Sequence, residues 1–479
     1  MLKKKIKVMY NISSHINTDK IFIVKRSELE DRFDATFYKE GFDFLNFIRL
    51  SKIARVSGGK RLPEGYDFSN EPTNYRYLRV GDVNRDGTLN YGDFKYLPKD
   101  VYTILKRYEI FKNDLLIAIV GATVGKVALM NIETDENIIL TENCAKITLK
   151  DKTVLPEYLF ILLQSPLIQK QIQLNYIQTT LPKLGLDRVG SLYIPPIPSI
   201  KIQNEIVKVF SKAFNINKQK EAEAKAILES IDTYILKELG ISLPEQNNTL
   251  QDRIFTAKFS EVVGGRLDPL FYNSDLSYFS SGVYESLAIG SLTISLKSGF
   301  GVGRQDQADE YDGIIQIRPT NIDEFGQLIF DRNIYVPRTL LDKVTPLEVG
   351  DVLFNNTNSQ ELVGKTALFA ENKSMLYSNH ITVIKVKKEK VLPEFLWMVL
   401  NSYQKHKVFY SLCTNWNNQS GIGLELLKSI KIPVPNIGTQ KTIVNHVANI
   451  FNSANRLKEQ AAEILFEAKQ KVEQMLISK

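Results

Sequence analysis

The 479-residue chain is expected to fold as α/β (α+β), as two tandem globular domains, each followed by a long helix. The two helices should pair as an antiparallel coiled coil, giving an internal pseudo-two-fold repeat. Three observations predict this. The stretch Ile200–Leu239 contains neither Pro nor Gly, and as a helix it would run about 60 Å at 1.5 Å per residue. A second stretch of the same kind, Thr439–Ile477, lies near the end of the chain. Between and before them the sequence repeats itself with a period of about 235–240 residues.

The repeat is carried by motifs in a fixed order. Arg32-Phe-Asp-Ala-Thr-Phe-Tyr38 matches Arg266-Leu-Asp-Pro-Leu-Phe-Tyr272, and Tyr96-Leu-Pro-Lys99 matches Tyr335-Val-Pro-Arg338. Val124-Gly-Lys126 matches Val363-Gly-Lys365, Val154-Leu-Pro-Glu-Tyr-Leu159 matches Val391-Leu-Pro-Glu-Phe-Leu396, and Ile194-Pro195 matches Ile432-Pro433. The domain boundaries that follow are 1–197 and 241–435 for the globular parts, with 198–240 and 436–479 for the helices.

Within each globular part, short apolar runs are bounded by Gly, Asn, Asp and Pro, which is the signature of strands and turns. Tyr75–Val80, Asp114–Val120 and Ile138–Leu149 are expected strands of the first copy. Gly313–Ile317, Asp351–Phe354 and His380–Val386 are those of the second. Short helices are expected at Glu157–Leu163 and Glu394–Leu400, where Pro stands at the first turn and its missing N–H costs nothing.

Each long helix follows a Pro-rich strap, Ile194-Pro-Pro-Ile-Pro198 or Ile432-Pro-Val-Pro435, whose fixed φ angles make a stiff extended exit. Ile443, Val447, Ile450, Ala454, Leu457, Ala461, Ile464 and Ala468 alternate spacings of four and three, a heptad seam. The central helix carries Ile206, Phe210 and Ala213, then a polar middle over Lys218–Lys225, then Leu228, Ile231 and Ile235. That polar middle weakens the seam and leaves the helix's continuity open. Pairing with a second molecule is the alternative to pairing within the chain.

Composition narrows the function. At 43% hydrophobic and 10% aromatic the chain can bury real cores, which excludes a disordered protein. Net charge of +7 is compatible with a polyanionic partner. Two cysteines, Cys144 and Cys413, cannot make a disulfide framework or a zinc site. The basic N-terminus lacks the apolar run of a signal peptide, and no apolar run is long enough to span a membrane, so the cytoplasm is the expected location.

Catalytic motifs fail on spacing. Gly121-Ala-Thr-Val-Gly-Lys126 has three residues between its glycines where a nucleotide-binding P-loop needs four, and Val127 follows the lysine in place of Ser or Thr. A glycine turn between strands fits it better. Gly299-Phe-Gly-Val-Gly303 has Arg304 where a dinucleotide fingerprint needs its third glycine, and Ser57-Gly-Gly-Lys60 stands at the equivalent place in the first copy. No metal, cofactor or catalytic residue is expected on this chain.

Binding is what remains. Both copies place basic and amide side chains on predicted loops. In the first these are Lys60, Arg61, Arg79, Lys126 and, from Thr179–Lys183, Lys183. In the second they are Arg304, Gln305, Arg318, Asn356, Asn358, Lys365, Asn379, His380 and, beside Trp416, Asn417. Arg to guanine and Asn or Gln to adenine are the usual base-edge pairings in the DNA major groove, and flanking Lys and Arg hold phosphates.

The chain resembles the specificity subunits of type I restriction–modification systems. The resemblance rests on the tandem domain–helix repeat and on Arg266-x-Asp-x-x-Phe-Tyr272 at the start of a repeat. It rests above all on Gly350-Asp-Val-Leu-Phe-Asn-Asn-Thr-Asn-Ser-Gln-Glu-Leu-Val-Gly-Lys365 with Ser378-Asn-His-Ile-Thr382 after it. It implies two target recognition domains, each reading one half of a bipartite asymmetric site in double-stranded DNA, on a helical ruler. It implies docking of two modification (methyltransferase) subunits and, through them, of restriction (endonuclease) subunits. S-adenosylmethionine, ATP and Mg²⁺ would then belong to those partners. Two alternatives to that reading are a coiled-coil scaffold with two protein-binding domains and the recognition half of a split restriction enzyme.

Overall fold

The computed structural model describes residues 46–175, 182–243, 254–262, 268–273, 282–417 and 419–477. The Arg32–Tyr38 motif, Arg266 and Thr179–Leu181 lie outside the described residues. The chain divides into two compact units, Met1–Lys218 with Ala461–Lys479, and Gln219–Gln460.

The first unit is built on two sheets. A four-stranded antiparallel sheet runs in the order Ala54–Gly58, Cys144–Leu149, Leu115–Ala118, Val127–Leu129. A second sheet runs in the order Lys95–Tyr96, Tyr75–Leu78, Asn137–Leu140, Glu109–Ile110, with its middle pair parallel. Ile138–Leu149, expected as one strand, is therefore two. The chain turns at Thr141–Asn143 and passes from one sheet to the other. The polar Thr141-Glu142-Asn143 between two apolar runs is where the turn falls. The helix Pro156–Leu163 starts at its proline as expected, and it buries Tyr158, Leu159, Ile161 and Leu162 in the core below the larger sheet.

The second unit repeats the plan. Its larger sheet runs Thr293–Ser298, Ile381–Val386, Val352–Asn355, Thr366–Leu368, again antiparallel throughout. Its smaller sheet runs Tyr335–Pro337, Gly313–Ile317, Leu376–Tyr377, again with a parallel step. The helix Pro393–Lys405 packs beneath, and Phe354 meets Phe409 edge-on at 5.1 Å between ring centroids. Burying such side chains is worth about 1.5–3 kcal/mol each. The second unit adds a small sheet of Thr357–Asn358, Gln419–Gly421 and Thr414–Trp416.

The long helices span Ile200–Leu239 and Ile437–Ile477. The first is continuous through its polar middle, where Ala224 is fully buried. Polar contacts replace the apolar seam there: Lys218 pairs with Asp86, and Lys220 Nζ donates to Gln460 Oε1 at 2.7 Å. Burial pushes the Asp86 carboxyl up, but the Lys218 ammonium and the Thr88 hydroxyl and N–H outweigh it and hold the group below its usual range.

Helix pairing occurs inside each unit. In the first, Ile206 and Phe210 share a core with Val472, and Leu465, Met475 and Leu476 pack against it. In the second, Ala224, Leu228 and Ile235 share a core with Ile443, Val447 and Ala454. There the Tyr234 ring lies 4.1 Å from the His446 ring. The fourteen-position step from Lys220 to Tyr234 matches the fourteen-position step from Gln460 back to His446, so this pairing is antiparallel and in constant register.

A buried glutamine fixes the start of each long helix. Gln203 Oε1 accepts from Leu155 N at 2.8 Å, while its Nε2 donates to Thr153 O and Pro198 O at 2.7 and 2.9 Å. Gln440 repeats all three bonds, accepting from Leu392 N and donating to Lys390 O and Pro435 O. Each amide thereby ties the proline strap and the Leu-Pro-Glu turn to the helix.

Candidate nucleic-acid interface

Four chain segments converge at one end of the larger sheet in each unit. In the first they are the exit of Ala54–Gly58, the turn joining Leu115–Ala118 to Val127–Leu129, the turn at Thr141–Asn143, and the segment around Lys183. Gly59 N donates to Cys144 O, Lys60 N to Leu140 O, Ile119 N to Asn143 O, and Gly121 N to Pro182 O. Lys183 makes a strand bridge to Val120.

The same end of the second unit is closed by the equivalent segments. Gly299 N donates to Ile381 O, Asn379 N to Phe300 O, Asn356 N to His380 O, and Ile422 N to Asn356 O. Gly59 and Gly299 occupy one position in the two copies, and both are glycines for one reason. A Cβ on either would lie 2.1 Å from a backbone carbonyl oxygen of the neighbouring turn, Thr141 O or Tyr377 O. The glycines of Gly299–Gly303 thus serve close backbone packing at their first member. Gly121–Lys126 is a turn between two antiparallel strands with Gly125 at φ +90°, and Gly364 repeats that angle.

The expected site residues fall into two groups. Lys60, Arg61 and Lys183 are exposed at the converging end of the first unit. Arg304, Gln305, Asn379 and Asn417 are exposed in the second, and Arg318, Asn358, Lys365 and His380 are half-buried there. Asn417 sits at the tip of the hairpin formed by Thr414–Trp416 and Gln419–Gly421, a strand pair that short polar segments give no periodicity to predict.

Three of the expected residues have side chains bonded within the scaffold. Asn356 is buried, and its amide donates to Thr382 Oγ1 at 2.9 Å and Asn379 O at 3.1 Å. It braces the turn and presents nothing to solvent, because a buried amide must satisfy its donors internally. Arg79 Nη2 and Nε reach Asp82 at 2.7 and 3.2 Å, and Asp82 is 2% exposed. Lys126 Nζ donates to Val83 O. Arg79 finds its partner three residues on, while Thr382 and Val83 lie in segments that only the fold brings near to Asn356 and Lys126.

Sequence reasoning missed Gln203 and Gln440. A signal was available, since both stand at one place relative to the Leu-Pro-Glu motifs. Both cysteines are buried; the Cys413 thiol donates to Tyr410 O at 3.3 Å, and burial pushes the Cys144 thiol up to about 12. Among the described residues no helix is long and apolar enough to cross a membrane.

The chain is similar in sequence to known proteins. A 210-residue stretch is 31% identical to the type I restriction enzyme EcoBI specificity subunit of Escherichia coli, covering 42% of this chain and 41% of that protein. A 283-residue stretch is 23% identical to the EcoKI specificity subunit of Escherichia coli strain K12, covering 58% and 60%. The chain thus spans between two-fifths and three-fifths of these relatives' lengths. The type I restriction–modification S subunit of M. genitalium aligns over 90% of this chain and 96% of its own, at 13% identity and a TM-score of 0.39. The profile of the family described as "Type I restriction modification DNA specificity domain" matches residues 45–226 and 340–465. With most of its length covered by that profile, the chain belongs to the type I restriction–modification DNA specificity family.

Proposed function

We propose that the chain is the sequence-reading subunit of a type I restriction–modification complex and that each unit reads one half of a bipartite asymmetric DNA target. The observation that carries this reading is the duplicated loop end. One scaffold, closed by equivalent backbone bonds, presents Lys60, Arg61 and Lys183 in one copy and Arg304, Gln305 and Asn379 in the other. Two copies with different side chains suit two different half-sites. Half-site spacing is a geometric property of such a protein, and the paired long helices act as its ruler.

The helices and adjoining surfaces dock two modification subunits and, through them, restriction subunits. Those subunits supply S-adenosylmethionine, ATP and Mg²⁺, and this chain contributes recognition and no catalytic group. The domain boundaries 1–197, 198–240, 241–435 and 436–479 are the units of exchange.

The test is to map methylated bases in DNA from cells carrying this chain with its partner subunits. Replacing residues 1–197 with the corresponding domain of another member should then change one half-site only. A change in both halves, or in neither, refutes the reading.

A further inference from the structure

The two copies differ in how they use one shared arginine. Arg79 and Arg318 occupy the same place, just after the strand that pairs in parallel in each smaller sheet. In the first unit Asp82 takes the guanidinium at 2.7 and 3.2 Å, and Asp93 O accepts from Nη2 at 3.1 Å. The charge is neutralised and folded back onto the scaffold.

In the second unit Asn321 stands where Asp82 stands. Its Oδ1 still accepts from Arg318 N at 3.0 Å, so the turn survives, but no carboxylate faces the guanidinium. Among the described residues Arg318 has no ion pair. Its Nε and Nη2 donate instead to Gln316 Oε1 at 3.2 and 3.0 Å.

Gln316 is itself fixed. It is fully buried, and its Nε2 donates to Phe300 O at 2.9 Å. In the first copy Tyr77 holds the matching carbonyl, Lys60 O, at 2.7 Å, and its hydroxyl also donates to Glu142 Oε2 at 3.4 Å, while Arg79 bonds to Asp82 and Asp93 O. The substitutions Tyr77 to Gln316 and Asp82 to Asn321 therefore act together. They take the carboxylate away from the arginine and give it a neutral, buried acceptor at the converging loop end, where Ile317 O accepts from Ser378 N. A guanidinium has five N–H donors, and Gln316 occupies two of them. The outer Nη1–Nη2 edge keeps the fork geometry that matches paired acceptors. Burial lowers the Arg318 pKa with no anion to oppose it, as expected of a charge awaiting a partner.

We infer that Arg318 is the cation through which the second unit takes a paired-acceptor group of DNA, either the O6/N7 edge of a guanine or a backbone phosphate, and that Arg79 has no such role. The inference rests on the DNA-reading function proposed above and deepens it by one residue.

The experiment uses the complete complex with wild-type chain, Arg318→Gln, Arg318→Lys or Arg79→Gln. Two probes are used: a duplex carrying the mapped target and a scrambled duplex of equal length, each titrated over a range of salt. A guanine contact predicts that Arg318→Gln loses about tenfold to a hundredfold on the target alone, relaxes one base position of the second half-site, and is not rescued by Lys. A phosphate contact predicts an equal loss on both probes, a salt slope shallower by about one, and rescue by Lys. Unchanged binding and base preference for both Arg318 variants, beside a wild type with a steep salt slope, overturns the assignment and leaves the DNA-reading function standing. A wild-type complex that binds neither duplex overturns both. Loss with Arg79→Gln equal to that with Arg318→Gln, at unchanged thermal stability, overturns the contrast between the copies.

Discussion

Gln203 and Gln440 show how one residue can join two elements. Each is fully buried, and each amide satisfies one N–H and two carbonyls from the strap and the turn before its helix. Removing the amide leaves those backbone groups buried without partners, which is the expensive way to lose a hydrogen bond. Gln440→Ala is expected to destabilise the second unit by about 2–4 kcal/mol, read as a lower urea midpoint at unchanged slope. Residue-scale roles were the least legible part of the sequence. Arg79 and Arg318 look alike as letters, and so do Asn356 and Asn358. Their different environments are set by Asp82, three residues after Arg79, by Gln316, two before Arg318, and by Thr382, which only the fold brings to Asn356.

At the scale of elements the long helices were legible, because a long stretch without Pro or Gly past its first turn and with a heptad seam has few alternatives. Half of the larger-sheet strands were legible as apolar runs, Leu115–Ala118, Cys144–Leu149, Val352–Asn355 and Ile381–Val386, while the outer strands of both sheets and the polar turn at Thr141–Asn143 were not read. The contacts that seat a helix on its domain were not legible. In the second unit Asp232, on the central helix, accepts from Ser402 Oγ at 2.6 Å and meets His406 Nε2 at 2.7 Å, both on or just after the helix Pro393–Lys405. Burial pushes this carboxyl up, but His406, Ser402 and Lys405 outweigh it and hold the group below the usual carboxylate range. A depressed pKa stabilises the fold above the unfolded value, near 3.9, and that contribution fades as pH falls through the folded value. Thermal melts over a pH series should therefore show stability lost below about pH 4, with a shallower loss in Asp232→Asn.

At the scale of the whole molecule, the duplication was the most legible feature of all, since five motif pairs keep their order over the chain. What the repeat could not show is that each compact unit takes segments from both long helices. A prediction belongs here. Inserting one turn of about four residues at paired positions in both helices should lengthen the gap between methylated half-sites and leave the bases read unchanged. Methylation mapping checks it, and a change in either half-site with the gap constant would count against the ruler.

The constant register of the helix pair also has a consequence in time. Lys220 and Gln460, which meet in it, are 240 residues apart in the chain. At a synthesis rate of about 5–20 residues per second, the second strand of the pair emerges roughly 10–50 seconds after the first. Throughout that interval Ala224, Leu228 and Ile235 have no partner helix to cover them. The polar stretch Lys218–Lys225, which thins the seam of the finished protein, also shortens the apolar face that waits uncovered in that interval.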